Sequence, residues 1–188
     1  MSEQSKSELR AFFRKARADF AESLSDRERQ IAFSAAPAAL TDHFTAGKTV
    51  SAYMPVGSEA DPRALLAIAH AAGCKTALPF VTSRASPMQF LRWSPGDPLQ
   101  QGPFDLLQPG SNAEVCTPDV VLTPLVAFDR NLMRLGQGAG HYDRALSLLD
   151  RAFVVGIAWS AQEAPLLPAD PWDIPLNAVL TEKAWIAR

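Results

Sequence analysis

Short apolar runs alternate with amphipathic helical patterns along this chain, and this alternation restricts the fold more than any other feature. Between two of these runs, Asp61 and Pro62 supply an N-cap and a first-turn proline for a helix that Gly73 ends. A strand, a helix and a second strand connect most simply as a parallel pair. We therefore predict an α/β fold: a single three-layer domain with a mainly parallel central sheet flanked by helices. The predicted strands are residues 50–54, 75–80, 88–93, 120–125 and 153–159.

Length and composition indicate one globular domain spanning residues 1–188. Hydrophobic residues make up 47% of the chain, charged residues 20%, and the formal net charge is -2, so nucleic acid and membrane partners are not expected. No apolar stretch approaches the ~20 residues of a membrane span, and the polar start at 2–17 is unlike a secretory signal. Cys74 and Cys116 are isolated, which favours reduced thiols in a cytoplasmic protein. We also expect a monomer.

A glycine-rich stretch at residues 134–144 carries the strongest chemical signal. It follows the apolar run at 120–125 and precedes a helical pattern at 142–149, so its glycines lie in a strand-to-helix connection. Glycines let main-chain N–H groups approach an anion closely, and a helix beginning near His141 adds its own unsatisfied N–H groups. The chemistry-bearing residues are Gly136, Gly138, Gly140, the cations Arg134 and Arg144, and Asp143 as a ligand for Mg²⁺.

The glycine spacing alone is not specific. It matches neither the P-loop, which requires a Lys-Ser or Lys-Thr, nor the dinucleotide-binding fingerprint. The alternative is a turn in which the glycines only allow a tight connection and bind no ligand.

An amphipathic helix is predicted over residues 7–20. Beside its apolar face, Lys6, Arg10, Arg14 and Arg17 recur every three or four residues and form a basic stripe. From the residues alone, a solvated face is the favoured interpretation of this stripe.

Weaker signals occur elsewhere. Residues 25–28 form a capping box that opens a second helix, which Pro37 breaks or kinks. Trp93 is expected to pack rather than to stack on a ligand. Residues 100–118 are interpreted as a proline-punctuated connection without chemistry, and 159–175 as a long irregular segment of the kind that closes over a site.

Four motifs occur in the order in which they occur in one enzyme family, and together they span nearly the whole chain. They are residues 6–10, residues 53–61, the group 119–124 with 127–129 and 134–144, and the group 156–158 with Gln162, Pro168, Asp173 and 179–182. On these residues the chain resembles the 5-formyltetrahydrofolate cyclo-ligase family, whose members are also called 5,10-methenyltetrahydrofolate synthetases.

The resemblance implies an ATP- and Mg²⁺-dependent closure of 5-formyltetrahydrofolate to 5,10-methenyltetrahydrofolate, with release of ADP and phosphate. The formyl oxygen would be phosphorylated first, and N10 would then close the ring. 5-Formyltetrahydrofolate and ATP are the expected partners, and Mg²⁺ is the expected cofactor. Such chemistry needs positioning and neutralisation of phosphate charge rather than a protein nucleophile.

The resemblance also implies roles for individual residues. It implies that Lys6 and Arg10 bind the ATP phosphates rather than lie on a solvated face, and that Arg14 is a candidate for a third contact. Arg17 stays assigned to the solvated face. ATP binding is implied for Lys6, Ser7, Glu8, Leu9, Arg10, Arg134, Leu135, Gly136, Gln137, Gly138, Ala139, Gly140, His141 and Tyr142. Folate binding is implied for Met54, Glu59, Gln137, Gly138, Ala139, Gly140 and His141, metal binding for Asp143 and Asp173, and catalysis for Arg134, His141 and Asp143.

Three residues depart from the usual pattern of that family. Gln137 stands where tyrosine or a basic residue is common, Ala139 where glycine or lysine is common, and His141 where tyrosine is frequent. The loop is therefore expected to carry less positive charge than in some relatives, and His141 can gain charge near neutral pH. Two other functions stay open: a phosphate-handling α/β enzyme with another acceptor, and a non-catalytic folate- or nucleotide-binding protein.

Overall fold

A seven-stranded sheet forms the centre of the protein, whose computed structural model describes residues 5–188. The inner strands pair in parallel, and the strand at each edge pairs antiparallel with its neighbour. This arrangement confirms the predicted α/β fold with a mainly parallel sheet. In spatial order the strands are β11 (Trp185–Ala187), β10 (Ala178–Leu180), β9 (Phe153–Ile157), β6 (Val120–Pro124), β1 (Thr49–Ser51), β2 (Lys75–Phe80) and β3 (Gln89–Arg92).

The inner strands are covered on both faces, which is why their sequences are nearly continuous apolar runs. Val50 of β1 pairs with Thr76 on one side and Val120 on the other, and all three are buried. These strands lie close to the predicted positions, and the edge strand predicted at 88–93 corresponds to β3. Trp93 packs in the core, as predicted.

Five α-helices accompany the sheet within residues 5–188. Capping boxes begin the first two: Ser5 with Glu8, and Ser25 with Glu28, the second as predicted. The helices are α1 (Lys6–Ser23), α2 (Asp26–Ile31), α3 (Ala38–Thr41), α4 (Arg63–Ala71) and α5 (His141–Leu146), with 3₁₀ turns at Pro103–Asp105 and Ser160–Gln162.

Two helix boundaries differ from the prediction. The second helix ends at Ile31, well before Pro37, which instead occupies the N-cap of α3. Pro62, and not Asp61, occupies the N-cap of α4, while the Asp61 carboxylate accepts a hydrogen bond from the Arg63 N–H. Gly73 follows the end of α4 with φ of 85°, so its role as a stop was predicted correctly.

Two short hairpins and both carboxy-terminal strands were not predicted. Strands β7 (Ala127–Phe128) and β8 (Arg134–Leu135) form a hairpin that separates β6 from the glycines, so the connection is not directly strand-to-helix. Strands β4 (Gln100–Gln101) and β5 (Leu107–Gln108) form the second hairpin. Strands of two or three residues are too short to display the alternation by which strands are recognised.

The order of strands reverses between β1 and β6. From β1 the chain passes through α4 to β2 on one side, whereas β6 leads to β9 and β10 on the other side. Ligands of open α/β sheets bind at the carboxyl ends of strands beside such a reversal. Helix α1 lies at this edge, where Leu9 and Phe13 pack against Val126, Ala127 and Leu135. Within residues 5–188, none of the helices has the length and apolar character needed to cross a membrane.

Candidate active site

A cavity of about 800 Å³ lies at the carboxyl ends of β1, β2 and β6. Tyr53 and Met54 line it just after β1, Pro79 lines it within β2, and Pro124 lines it at the end of β6. Helix α1, the glycine-rich loop and residues 170–173 complete its walls. Its size suits a small-molecule ligand, and its position is the one that the strand order predicts.

The glycine loop, residues 136–140, forms one wall, and its glycines serve different purposes. Gly138 and Gly140 have φ of 104° and 66°, in the left-handed region that favours glycine, and Gly140 is also the N-cap of α5. Gly136 lacks a positive φ, and a Cβ added there would have no atom within 4 Å. The described fold therefore does not require glycine at position 136, and the open space beside it would admit a ligand.

Two arginines of α1 bind the glycine loop. Arg10 Nε donates to the carbonyl oxygen of Gly136 at 2.8 Å. Arg14 Nε donates to Gln137 Oε1 at 3.0 Å, and Arg14 Nη2 donates to the Gln137 carbonyl oxygen at 3.0 Å. Arg10 lines the cavity, whereas Arg14 is exposed and holds the loop from outside.

Lys6, at the start of α1, joins the helix to the segment that follows β9. Its Nζ lies 2.7 Å from Asp170 Oδ2 and is also paired with Asp173. Burial alone would lower the pKa of Lys6, but the hydrogen bonds and charges of the two carboxylates raise it above its ordinary value. All three residues line the cavity.

Ser7, Glu8 and Leu9 do not line the cavity, although ATP binding was implied for them. Ser7 is exposed, Glu8 is occupied by the capping box with Ser5, and Leu9 packs in the core beneath α1. A helix presents only some of its residues to one side, so a contiguous motif of five residues cannot all face one ligand.

The prediction that Arg17 lies on a solvated face is wrong. Its side chain is 10% exposed, its Nε donates to Ser58 Oγ at 3.1 Å, and its Nη1 lies 3.5 Å from Glu59 Oε1. The loop that follows β1 covers this part of α1. Helical spacing identified the shared face correctly but carried no information about what covers it.

Glu59 and Met54 line the cavity as predicted, on the loop that follows β1. Glu59 Oε2 accepts a hydrogen bond from Val56 N at 3.0 Å, which closes a tight turn. Glu59 Oε1 accepts a hydrogen bond from Gln137 Nε2 at 3.2 Å, so the glycine loop and the Glu59 loop touch directly.

Arg134 and Asp143 form a partly buried ion pair on the cavity wall. The Arg134 side chain is 2% exposed, yet its Nη1 atom is buried without a hydrogen-bond partner among the described residues. A buried donor without an acceptor is costly, and an anionic ligand would remove that cost. The guanidinium also lies 5.9 Å from the centre of the Tyr142 ring, another cavity residue.

His141 begins α5 and is held by Arg144, whose Nη2 lies 3.3 Å from His141 Nδ1. Because arginine only donates, Nδ1 accepts and the neutral ring carries its proton on Nε2. Within residues 5–188, Nε2 is also buried without a partner. Burial lowers the pKa of His141, and the positive charge of Arg144 acts in the same direction. The Ser86 backbone opposes this shift, whereas Arg84 adds to it.

The remaining predicted residues of this region, Leu135 and Ala139, also lie on the cavity wall. Arg144 Nη1 donates to the Ala139 carbonyl oxygen at 3.0 Å. Arg10, Arg14 and Arg144 therefore bring positive charge to a loop whose own residues 136–140 contain none.

The sequence model of the 5-formyltetrahydrofolate cyclo-ligase family matches residues 2–182. This chain belongs to that family. The cyclo-ligase of Mycolicibacterium smegmatis is 34% identical over 195 residues, covering 99% of this chain and 98% of the relative. The match to the Haemophilus influenzae cyclo-ligase is 40% identical but spans only 48% of this chain and 52% of the relative.

Solved structures agree with the assignment to the cyclo-ligase family. The structure of the Aquifex aeolicus 5,10-methenyltetrahydrofolate synthetase superposes with a TM-score of 0.76 at 31% identity, covering 97% of this chain and 92% of that protein. The family resemblance stated from the motifs is thereby confirmed.

Two carboxylates of this cyclo-ligase chain are suited to Mg²⁺. Asp143 and Asp173 both line the cavity, and each has one carboxylate oxygen without a hydrogen bond from the described residues. No group of three or more His, Cys, Asp or Glu side chains that could hold a metal occurs within residues 5–188. Mg²⁺ usually takes one or two carboxylates and completes its shell with waters and substrate phosphates, so this donor set fits the ion.

Several cavity residues of the cyclo-ligase fold were not found from the sequence. Residues 100–118 were interpreted as a connection without chemistry, yet three of their apolar residues, Phe104, Leu106 and Leu107, line the cavity. Phe104 is 53% exposed and has φ of 61°, so a strained turn presents an aromatic ring beside the site. The irregular segment 159–175 does reach the site, as expected. Other cavity residues that were missed are Pro79, Val81, Arg84, Met88, Pro124, Ser147, Asp170 and Trp172.

Proposed function

We propose that this chain converts 5-formyltetrahydrofolate to 5,10-methenyltetrahydrofolate with consumption of ATP and release of ADP and phosphate. Membership of the cyclo-ligase family supports the reaction class. The observation that carries the proposal is the cavity itself. Among the described residues, Arg134 Nη1 and His141 Nε2 are buried without a hydrogen-bond partner. Both residues line one cavity together with Glu59, Phe104 and Leu106.

The chemistry begins with a poor leaving group, because the formyl carbon must lose its oxygen for the ring to close. The formyl oxygen attacks the γ-phosphorus of ATP, the bond to ADP breaks, and a phosphorylated imidate forms. N10 then adds to the activated carbon, inorganic phosphate departs with the former formyl oxygen, and N10 gives up its proton. The protein supplies positioning and charge neutralisation for both steps.

The groups that bind phosphate under this proposal are Lys6, Arg10, Arg134 and the main-chain N–H groups of the glycine loop. Arg134 Nη1 is buried and has no acceptor in the part of the chain that the structure describes, which supports its assignment to a phosphoryl oxygen. His141 contributes a neutral N–H donor to the same region, because Arg144 occupies its other ring nitrogen.

Folate binding falls to Glu59 and Met54 on the loop after β1. A carboxylate accepts hydrogen bonds from the amino and ring N–H groups of a pterin, and Met54 offers an adaptable apolar surface. The exposed rings of Phe104 and Trp172 add aromatic surface at the cavity.

Asp143 and Asp173 would hold Mg²⁺. The ion would neutralise phosphate charge and orient the phosphates for in-line transfer. Each carboxylate is now paired with a phosphate-binding cation, which keeps both charges balanced before ligands bind.

The protein acts as a monomer in the cytoplasm under this proposal. Cys74 and Cys116 are free thiols, which suits the reducing cytoplasm.

An absorbance assay tests the proposal. Purified protein is mixed with 5-formyltetrahydrofolate, ATP and Mg²⁺, and growth of the conjugated methenyl product is followed beside a reaction without ATP. ATP-dependent product is expected. Folded protein that binds both substrates without making product would instead indicate a non-catalytic binder, and folate-independent ATP turnover would indicate another acceptor.

A further inference from the structure

Glu59 belongs to a closed ring of side chains from three parts of the chain. Arg17 of α1 pairs with Glu59 Oε1 at 3.5 Å, and Gln137 of the glycine loop donates to the same oxygen at 3.2 Å. Arg14 of α1 donates to Gln137 Oε1 at 3.0 Å, which fixes the Gln137 amide with its NH₂ group toward Glu59. Arg14 and Arg17 are one helical turn apart, so α1 closes the ring.

Arg17 is itself firmly placed. Its Nε donates to Ser58 Oγ, and the Ser58 carbonyl oxygen accepts a hydrogen bond from Trp159 Nε1 at 3.0 Å. The Arg17 and Glu59 side chains are each only 10% exposed, so solvent screens their charges weakly. Without Arg17, Glu59 would be a buried carboxylate lacking a countercharge, a costly arrangement.

The contacts leave Glu59 oriented but not saturated. Among the described residues, Oε1 accepts from Arg17 and Gln137, whereas Oε2 accepts only from Val56 N. Each carboxylate oxygen can accept two hydrogen bonds, so Oε2 keeps room for a ligand donor. A group fixed before the ligand arrives loses less freedom on binding, which raises affinity.

We propose that Arg17 is a positioning residue that holds the Glu59 carboxylate in the orientation that receives the N–H donors of a reduced pterin. This inference rests on the proposed function, because it assigns a support to the residue proposed to bind the pterin. Arg17 contacts no residue of the Lys6 or Arg134 ion pairs in the hydrogen-bond network of residues 5–188. Its effect therefore falls on folate binding and not on phosphate binding.

The experiment compares Arg17→Met, Arg17→Lys and the matched control Lys15→Met on the same helix. Lys15 is a suitable control because its side chain is 76% exposed and, among the described residues, its Nζ pairs only with Asp19. Affinity for 5-formyltetrahydrofolate is measured without ATP by quenching of intrinsic tryptophan fluorescence, and KM for each substrate is measured in the full reaction.

Arg17→Met is expected to weaken 5-formyltetrahydrofolate binding by about tenfold or more while changing KM for ATP by less than about twofold. Arg17→Lys is expected to recover part of the loss, because it keeps the charge but not the two-pronged guanidinium. Lys15→Met is expected to match the wild type. A cycle with Glu59→Gln is expected to be non-additive, because Arg17 acts through Glu59.

Unchanged folate affinity in a folded Arg17→Met protein would overturn the proposal, and so would equal increases in both KM values. Should Arg17→Met not fold, Arg17→Lys and its cycle with Glu59→Gln decide, and strictly additive losses would count against the proposal. A wild-type protein that binds folate but makes no product would refute the proposed reaction. The folate affinities of the wild type and of Arg17→Met would then still decide the role of Arg17.

Discussion

Lys6 of the first helix and Asp173, 167 residues further along the chain, form an ion pair inside the cavity. Arg134 and Asp143 form a second pair of the same kind. In each pair a proposed phosphate-binding cation neutralises a proposed Mg²⁺-binding carboxylate. ATP with Mg²⁺ carries the charges to replace both partners at once, since the cations can turn to phosphate and the carboxylates to the metal. The two pairs therefore balance these four charges without ligands, and we propose that ATP with Mg²⁺ balances them when it binds.

Lys6→Ala is expected to raise KM for ATP by roughly tenfold or more, because a charge-assisted contact to phosphate is lost. KM for 5-formyltetrahydrofolate should change by less than about twofold, since within residues 5–188 the Lys6 ammonium bonds to Asp170 and Asp173 and not to the Glu59 loop. Steady-state kinetics of Lys6→Ala beside Lys15→Ala give both values. A larger change for folate than for ATP would move Lys6 out of the nucleotide site.

Asp143→Asn is expected to raise the Mg²⁺ concentration needed for half-maximal activity by about tenfold or more, because an anionic ligand becomes neutral. Asp173→Asn is expected to act in the same direction. Asp150→Asn, at an exposed turn after α5, serves as the control. Mg²⁺ titrations of activity provide the measurement, and normal magnesium dependence in both cavity variants would remove the metal role.

Gly136→Ala tests whether glycine is needed at position 136 so that a ligand can approach the loop or so that the protein can fold. The added Cβ meets no atom and the φ angle is ordinary, so the free energy of unfolding should change by less than about 0.5 kcal/mol. Gly138→Ala, at φ of 104°, should cost about 1–2 kcal/mol. Denaturant unfolding measures both changes. Activity assays should show a raised KM for ATP in Gly136→Ala, and an unchanged value would show that glycine is not needed there for nucleotide binding.

His141 is expected to titrate below the value of about 6.5 typical of an unperturbed histidine, because burial and Arg144 disfavour its charged form. A depressed pKa means that the folded state resists protonation more than the unfolded state does. The resulting contribution to stability is present above the ordinary pKa and is lost as pH falls through the folded-state value. NMR titration of the histidine ring protons tests this, and a midpoint at or above 6.5 for His141 would contradict it.

Much of the fold could be predicted from the sequence because the inner strands are buried on both faces. Runs such as Lys75–Phe80 and Phe153–Ile157 are long and apolar enough to be recognised singly. The β7–β8 hairpin and the last two strands were missed, since two or three residues show no periodicity. Their pairing depends on partners far along the chain.

The sequence predicted the site residues that lie within local motifs. It did not predict the residues whose position depends on tertiary packing. Resemblance led to Glu59, Arg134, Asp143 and Asp173, all of which the fold brings to one cavity. Arg17 was misplaced because helical spacing does not reveal which face is covered. Phe104 was missed because its exposure at the cavity arises from a left-handed turn that the sequence does not announce.

The most direct test of the account follows the formyl oxygen itself. 5-Formyltetrahydrofolate carrying a heavy oxygen isotope in the formyl group is converted with ATP and Mg²⁺, and the released inorganic phosphate is analysed by mass spectrometry. If the formyl oxygen attacks the γ-phosphorus, one phosphate is released for each methenyl group formed, and that phosphate contains one labelled oxygen. Unlabelled phosphate, with the label in water instead, would show that the formyl oxygen is not phosphorylated and would contradict the mechanism assigned to this cavity.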